Sequence, residues 1–229
     1  MSTYVITGAS RGIGLELVTQ VLAQKHKVIA GVRNPAAAKE LAELAKTHEG
    51  SLRVLRLDVK SASSVAEFKQ AIGDETVDFL INNAGVLSDQ DDVSAEIDPN
   101  VVADTFDTNT LGPIRVTQAL LPNLRKAANP VIGHVSSQMG SIADNGSGGH
   151  VAYRISKTAL NMFAKTLALD EPKIVTLTLH PGWVKTRMGG SGATLDTRSS
   201  AQGLLNLINS AKKPMSGRFF NYSGKELPW

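Results

Sequence analysis

Cysteine is absent from this 229-residue sequence, aromatic residues make up only 5% of it, and no apolar run is long enough to span a membrane. Without cysteine, the protein can form no disulfide scaffold, thiolate zinc site, iron–sulfur cluster or cysteine nucleophile. The apolar run near the start of the sequence is too short and too uncharged to be a signal peptide. We therefore expect a cytoplasmic protein with no membrane association, and no metal site is predicted.

An excess of charge of one sign is also missing. The 24 Lys and Arg residues against 21 Asp and Glu residues give a net charge of +3, and the basic residues are scattered along the chain. Because no basic patch is indicated, we expect a small-molecule partner rather than a nucleic acid. The composition, with 42% hydrophobic and 20% charged residues, is usual for a globular protein. The length allows one large core, so we predict a single domain over residues 1–229.

Short apolar runs alternate with longer helical patterns along the whole chain. The first run covers residues 4–6, a helical pattern covers 12–25, and the last run covers 219–220. Unbroken apolar runs are typical of strands buried on both faces, and their alternation with helices predicts βαβ units. The fold predicted is α/β, with a doubly wound parallel sheet of about seven strands and helices on both faces. Residues 101–121 are predicted to form one helical segment.

A glycine-rich turn follows the first predicted strand and leads into the first predicted helix. Glycines at positions 8, 12 and 14 would allow a tight turn and a close approach of the backbone to a pyrophosphate. The helix N-terminus would offer free N–H groups to the phosphates. The alternative is an ordinary turn between a strand and a helix, but the position favours a dinucleotide-binding loop of the Rossmann type.

The spacing TGxxxGIG at residues 7–14 resembles that of the short-chain dehydrogenase/reductase family, and later motifs extend the resemblance over the whole chain. NNAG stands at residues 82–85 and PGxxxT at residues 181–186. The resemblance implies a Rossmann-fold oxidoreductase that binds a nicotinamide coenzyme and forms a homodimer or homotetramer, often through the helices that hold residues 111–121 and 153–169. The coenzyme-binding residues that it implies are Gly8, Ser10, Arg11, Gly12, Ile13, Gly14, Arg33, Asp58, Val59, Asn83, Ala84, Gly85, Tyr153, Lys157, Pro181, Gly182, Val184 and Thr186.

The end of the second strand lacks the acid that would bind a ribose 2′-hydroxyl in an NAD site. Residues 28–34 contain Arg33 instead, and Arg11 lies within the glycine turn. A guanidinium can hold a 2′-phosphate by charge-assisted hydrogen bonds, whereas an acid would repel it. Both arginines could also be ordinary surface residues. Within this family, the arrangement predicts NADP(H) as the coenzyme.

Tyr153 and Lys157 stand four residues apart in a predicted helix, so they share a face. The Lys157 ammonium and the oxidised nicotinamide together are expected to lower the pKa of the Tyr153 phenol, whose ordinary value is about 10, and so to suit it to proton transfer. By itself such a pair is common on protein surfaces. The family resemblance implies a catalytic set that adds Ser137, which would polarise a substrate carbonyl, and Asn109, which would hold a water of a proton relay.

Residues 139–142, 153–160, 180–186 and 216–229 are similar to the sniffer and C-factor group of carbonyl reductases. Substrate-facing loops are expected at residues 86–100, 140–150 and 188–200. Tyr153 lies 16 positions after Ser137, a longer separation than the family often has, and this puts substrates of shorter-looped relatives in doubt. His180 is placed beside the PG turn and outside catalysis.

The motifs and the resemblance leave three functions open. The first is an NADPH-dependent carbonyl reductase that acts on a ketone or aldehyde, with Tyr153 as proton donor. The second is an NAD(P)-binding signalling protein of C-factor type with little turnover, which would have no need of the four catalytic residues. The third is a polyketide or fatty-acyl ketoreductase, for which no dense basic patch that could receive a carrier is visible.

Overall fold

The computed structural model of the protein describes residues 1–88 and 96–229. Seven parallel strands form one sheet in the order β3-β2-β1-β4-β5-β6-β7. The strands are β1 (Thr3–Thr7), β2 (Lys27–Val32), β3 (Leu52–Arg56), β4 (Phe79–Asn82), β5 (Val131–Val135), β6 (Val175–His180) and β7 (Arg218–Asn221). The strand order reverses between β1 and β4, and ligands of doubly wound sheets bind in the crevice at such a point.

Within the described residues, seven α-helices connect the strands. They are α1 (Gly12–Ala23), α2 (Lys39–Thr47), α3 (Ala62–Ile72), α4 (Pro99–Phe106), α5 (Gly112–Leu124), α6 (Val151–Asp170) and α7 (Thr197–Asn209). Short 3₁₀ turns cover Pro35–Ala37, Gln138–Gly140 and Lys213–Met215. None of the helices in the described residues is both long enough and apolar enough to cross a membrane.

Two apolar cores lie on opposite faces of the sheet. Successive residues of β1 divide between them, since Tyr4 and Ile6 pack in one core and Val5 in the other. The first core receives side chains of α1, α2 and α7, and the second receives those of α3, α5 and α6. The predicted single α/β domain, its seven parallel strands and its helices on both faces are therefore confirmed.

The predicted helical segment 101–121 differs from the structure in its centre. A π-helical turn over Asp107–Leu111 separates α4 from α5. Asn109 lies in this turn and is fully buried. Single π turns inside helices are frequent at functional sites, because they direct a side chain that a regular helix would place elsewhere.

Candidate active site

The glycine loop packs against the segment after β4 so closely that side chains would not fit. Gly8 has a φ of +65°, and a Cβ there would lie 2.7 Å from the Cα of Ala84. A Cβ on Gly14 would lie 2.3 Å from the carbonyl oxygen of Gly8. The glycines therefore serve the predicted tight turn and also the close approach of the two segments, which the sequence did not predict.

Thr7 joins the glycine loop to the NNAG segment through hydrogen bonds. Its hydroxyl accepts from the backbone N–H groups of Asn83 and Ala84, each at 3.0 Å. In return, the Asn83 amide donates to the carbonyls of Thr7 at 3.0 Å and Gly8 at 3.2 Å. These bonds hold the carboxyl ends of β1 and β4 together at the point where the strand order reverses. Thr7 was not among the predicted site residues, although it opens the motif.

The N-terminus of α1 faces a group of three arginines. In the described part of the chain, no side chain caps this helix, which begins after Arg11. The pKa of the Arg11 guanidinium is lowered, most of all by burial and further by the positive charges of Arg187 and Arg33. Among residues 1–88 and 96–229, none of the three arginines forms an ion pair with a carboxylate. Unpaired positive charge beside a free helix N-terminus is suited to phosphate groups.

Arg187 is a part of this cluster that the sequence analysis missed. It follows Thr186, whose methyl group would lie 3.3 Å from a Cβ on Gly12. The segment after β6 therefore lies against the glycine loop, although the two are far apart in the sequence. The PGxxxT motif ends one residue before Arg187, and no local pattern indicated that this arginine would come close to Arg11.

The remaining predicted coenzyme contacts line the same edge of the sheet. Val184 is buried, and the Pro181 carbonyl accepts a hydrogen bond from the Ser200 hydroxyl at 2.7 Å. Asp58 and Val59 follow β3 and contact Ser64 and Gly112 rather than the glycine loop. Other residues of the predicted set, Ser10, Gly85 and Gly182, are half-buried in the turns after β1, β4 and β6, and Ile13 is half-buried in the first turn of α1.

Tyr153 and Lys157 both lie on α6, with the lysine Nζ 5.6 Å from the centre of the tyrosine ring. The ammonium donates a hydrogen bond to the carbonyl of Val135 at 2.9 Å, at the end of β5. Burial lowers the pKa of Lys157 to about 8. Lys157 is therefore a buried cation held between α6 and the sheet, rather than a surface residue.

Ser137 lies against Tyr153, and the two hydroxyl groups share a hydrogen bond. Burial raises the pKa of Tyr153 to about 12, and the bond from Ser137 only partly opposes this. The predicted lowering of this pKa depends on Lys157 and the oxidised nicotinamide together, and the protein groups alone do not produce it. The cost of removing the phenolate from water outweighs the help that its neighbours give.

Asn109 is held by hydrogen bonds at both ends of its amide. Its oxygen accepts from the N–H of Val86 at 2.8 Å, and its nitrogen donates to the Val86 carbonyl at 2.9 Å and to the Ser156 hydroxyl at 3.0 Å. A Cβ on Gly85 would lie 3.2 Å from the Asn109 oxygen and 3.6 Å from the Lys157 Nζ. Asn109 thus ties the NNAG segment to α6 beside Lys157.

Ser136, Ser156 and Asn161 support this site but were not predicted. Ser156 donates to the carbonyl of Tyr153 at 2.8 Å while it accepts from Asn109. Ser136 donates to the Asn161 oxygen at 2.6 Å. All three are buried, and polar residues on the core-facing side of a helix are the signal that could have found the two on α6.

Two further predictions concern histidine and the loops. Burial lowers the pKa of His180 to about 4, so the imidazole is neutral at the end of β6. Residues 140–150 form an irregular loop between β5 and α6. Of the predicted substrate loop 86–100, residues 89–95 lie outside the described residues, and residues 86–88 follow β4 at the site. No group of three metal-binding side chains occurs in the part of the chain that the structure describes.

Comparison with known proteins decides the family. A family profile described as short chain dehydrogenase matches residues 2–194. The chain belongs to the short-chain dehydrogenase/reductase family. As a member of this family, the protein is an oxidoreductase with a nicotinamide coenzyme and a small-molecule substrate.

Three relatives place the chain within the short-chain dehydrogenase/reductases. It is 50% identical to C-signal of Myxococcus xanthus over 155 residues, which are 67% of this chain and 93% of that protein. The structure of carbonyl reductase Sniffer of D. melanogaster matches with 36% identity and a TM-score of 0.93, covering all of both chains. The NADPH-bound carbonyl reductase from chicken fatty liver matches with 33% identity and a TM-score of 0.94, covering 100% of this chain and 99% of that one. The chain is therefore a member of the sniffer and C-factor-like group.

Proposed function

We propose that the protein is an NADPH-dependent carbonyl reductase that reduces a ketone or aldehyde to an alcohol. The observation that carries this proposal is the hydrogen-bonded pair of Ser137 and Tyr153, with the buried Lys157 ammonium beside it. Two hydroxyl donors and a cation at the edge of the sheet form a site that can accept negative charge on a carbonyl oxygen. A module that only binds a dinucleotide has no need of them.

The coenzyme would lie on the glycine loop, with its phosphates toward the N-terminus of α1 and the guanidinium groups of Arg11, Arg33 and Arg187. When bound, NADPH supplies the hydride. The tight glycine turn, the uncapped helix and the unpaired arginines all fit such a ligand. The lack of an acid beside Arg33 supports a preference for NADP(H) over NAD(H), since a carboxylate would repel the 2′-phosphate.

Tyr153 is the proton donor of the proposed reaction. At neutral pH the phenol carries its proton and can give it to the carbonyl oxygen. Ser137 donates a hydrogen bond to the same oxygen and orients it. Lys157 stabilises the phenolate that is left and holds the coenzyme ribose. Thr186 would contact the carboxamide of the nicotinamide.

The proton that Tyr153 loses must be replaced from solvent, and Asn109 lies on that route. Its side chain is already hydrogen-bonded to Val86 and Ser156, so we assign Asn109 the role of holding the NNAG segment and α6 in place beside Lys157. This refines the predicted role of Asn109 without removing it from the site.

The second candidate function is signalling with little turnover, and the relative called C-signal favours it. A panel of ketones, aldehydes, quinones and diketones with NADPH separates the two. Turnover of any member, lost when Ser137 is replaced by alanine, supports the reductase. NADPH binding without turnover of the whole panel would favour a binding protein.

We further propose that the protein forms a homodimer through α6. Ile155, Met162 and Leu169 are spaced seven residues apart and are 44%, 67% and 70% exposed. This spacing places them in one apolar stripe along the helix. Exposed apolar stripes of this kind are typical of protein–protein contacts.

A further inference from the structure

Arg154 follows Tyr153 directly, and its guanidinium contacts both ends of the loop formed by residues 140–150. Toward the end that adjoins α6, the Nε donates to the carbonyls of Gly148 at 3.2 Å and Gly149 at 2.9 Å. Nη2 donates to the Gly148 carbonyl and to the Ser147 hydroxyl, each at 2.9 Å. Toward the end that adjoins β5, Nη1 donates to the carbonyl of Met139 at 3.4 Å. A single planar group thus bridges the two ends of the loop.

The segment that Arg154 holds has an uncommon backbone. Gly148, Gly149 and His150 have φ values of +64°, +67° and +49°, so three successive residues are left-handed just before α6. His150 carries a side chain in a region that favours glycine, and such residues persist only where the surroundings hold them. The carbonyls of Gly148 and Gly149 point to the guanidinium, which supplies the donors that hold them in place.

The other end of the loop has its own attachment to α6. Thr158 and Asn161 both donate to the carbonyl of Gly140 at 3.0 Å. Arg154, Thr158 and Asn161 lie at positions i, i+4 and i+7 of the helix, so they form one polar row beside the face of Tyr153 and Lys157. The N–H of Gly140 in turn donates to the carbonyl of Ser137 at 2.8 Å, so these bonds connect Ser137 to α6 without the participation of Arg154.

We propose that Arg154 is a positioning residue that holds the two ends of the 140–150 loop together and so fixes the substrate side of the active-site cleft. This inference rests on the proposed carbonyl reductase function. Because Thr158 and Asn161 hold Gly140 independently of Arg154, and Gly140 is bonded to Ser137, Arg154 governs substrate binding more than the proton-transfer step. The fork of the guanidinium is essential, since a lysine ammonium is a point donor and cannot bridge both ends of the loop.

The test compares Arg154→Met, Arg154→Lys and Ser147→Ala with Arg198→Met, which removes an exposed arginine from α7. Hydrogen exchange over residues 143–149, KM and kcat for a ketone, and the NADPH dissociation constant are measured for each. We expect Arg154→Met to speed exchange in the loop and raise KM by about tenfold, with kcat changed less than about threefold. NADPH binding stays unchanged, Arg154→Lys recovers only part of the loss, and Ser147→Ala gives a smaller effect in the same direction.

Two results would overturn the proposal. One is that Arg154→Met and Arg198→Met show the same hydrogen exchange over residues 143–149 and the same KM. The other is a loss of kcat, NADPH binding and overall stability together, which would make Arg154 a general structural residue. If the unaltered protein reduces no carbonyl compound, the proposed function fails, and the exchange measurement still decides whether Arg154 holds the loop.

Discussion

Single side chains decide which coenzyme the site accepts, and Arg33 is the most direct position to test. It follows β2 at the place where an NAD site carries an acid, and it is exposed. Val32, the residue before it, is 2% exposed, so an acid placed there would be buried in the core. Arg33 can therefore be replaced without disturbing packing.

We expect Arg33→Ala to weaken NADPH binding about tenfold, or ~1.4 kcal/mol, and to leave NADH binding unchanged, because only NADPH carries the 2′-phosphate. Titration of the protein with each coenzyme measures this, and Arg198→Ala serves as the matched control for the loss of an exposed arginine. Equal weakening of both coenzymes would show that Arg33 does not contact the 2′-phosphate.

Lys157 gives the site a pH dependence that can be measured in coenzyme binding. Its pKa is lowered to about 8 by burial, so the ammonium loses its charge as the pH rises through that value. We expect the NADPH dissociation constant to rise between about pH 7 and about pH 9, since the protonated form is the one that attracts the coenzyme. Lys157→Met should bind weakly at both pH values, while Lys165→Met, on the exposed side of the same helix, should retain the pH dependence of the unaltered protein. A flat pH profile in the unaltered protein would contradict this role.

At the scale of elements, the sequence predicted most of what the structure contains, and the exceptions have physical causes. Unbroken apolar runs between the helical patterns located all seven strands, because a strand that is buried on both faces of a sheet consists mainly of apolar residues. The helical pattern of residues 101–121 concealed the π-helical turn at Asn109. That turn is held by bonds to Val86 and Ser156, which are distant in the sequence and leave no periodic trace.

The same limit explains the site residues that sequence reasoning missed. Motifs located Tyr153, Lys157 and Ser137, which the structure brings together as predicted. Arg187 comes close to Arg11 only through the packing of the segment after β6 on the glycine loop. The burial that raises the pKa of Tyr153 in the absence of coenzyme was not predicted, because it depends on the whole fold and not on the neighbours of the phenol in the helix.

At the scale of the whole molecule, the apolar stripe on α6 predicts how two copies associate. We expect the unaltered protein to sediment as a dimer, and Met162→Glu to sediment as a monomer, because the charge would be desolvated in the contact. Ile142→Glu places the same charge at another exposed apolar residue, 73% exposed in the 140–150 loop, and should leave the dimer intact. A monomer in the unaltered protein, or a dimer in Met162→Glu, would rule out this contact.

The proposed role of Tyr153 as the proton donor of a carbonyl reductase can be tested by comparing two variants with the unaltered protein. The rate of NADPH-dependent ketone reduction and the NADPH dissociation constant are measured for the unaltered protein, for Tyr153→Phe, and for Tyr4→Phe as a control in which a different buried phenol is removed. We predict that Tyr153→Phe loses about 10³-fold in rate with unchanged NADPH affinity, while Tyr4→Phe keeps its activity. Turnover by Tyr153→Phe at the rate of the unaltered protein would contradict the account.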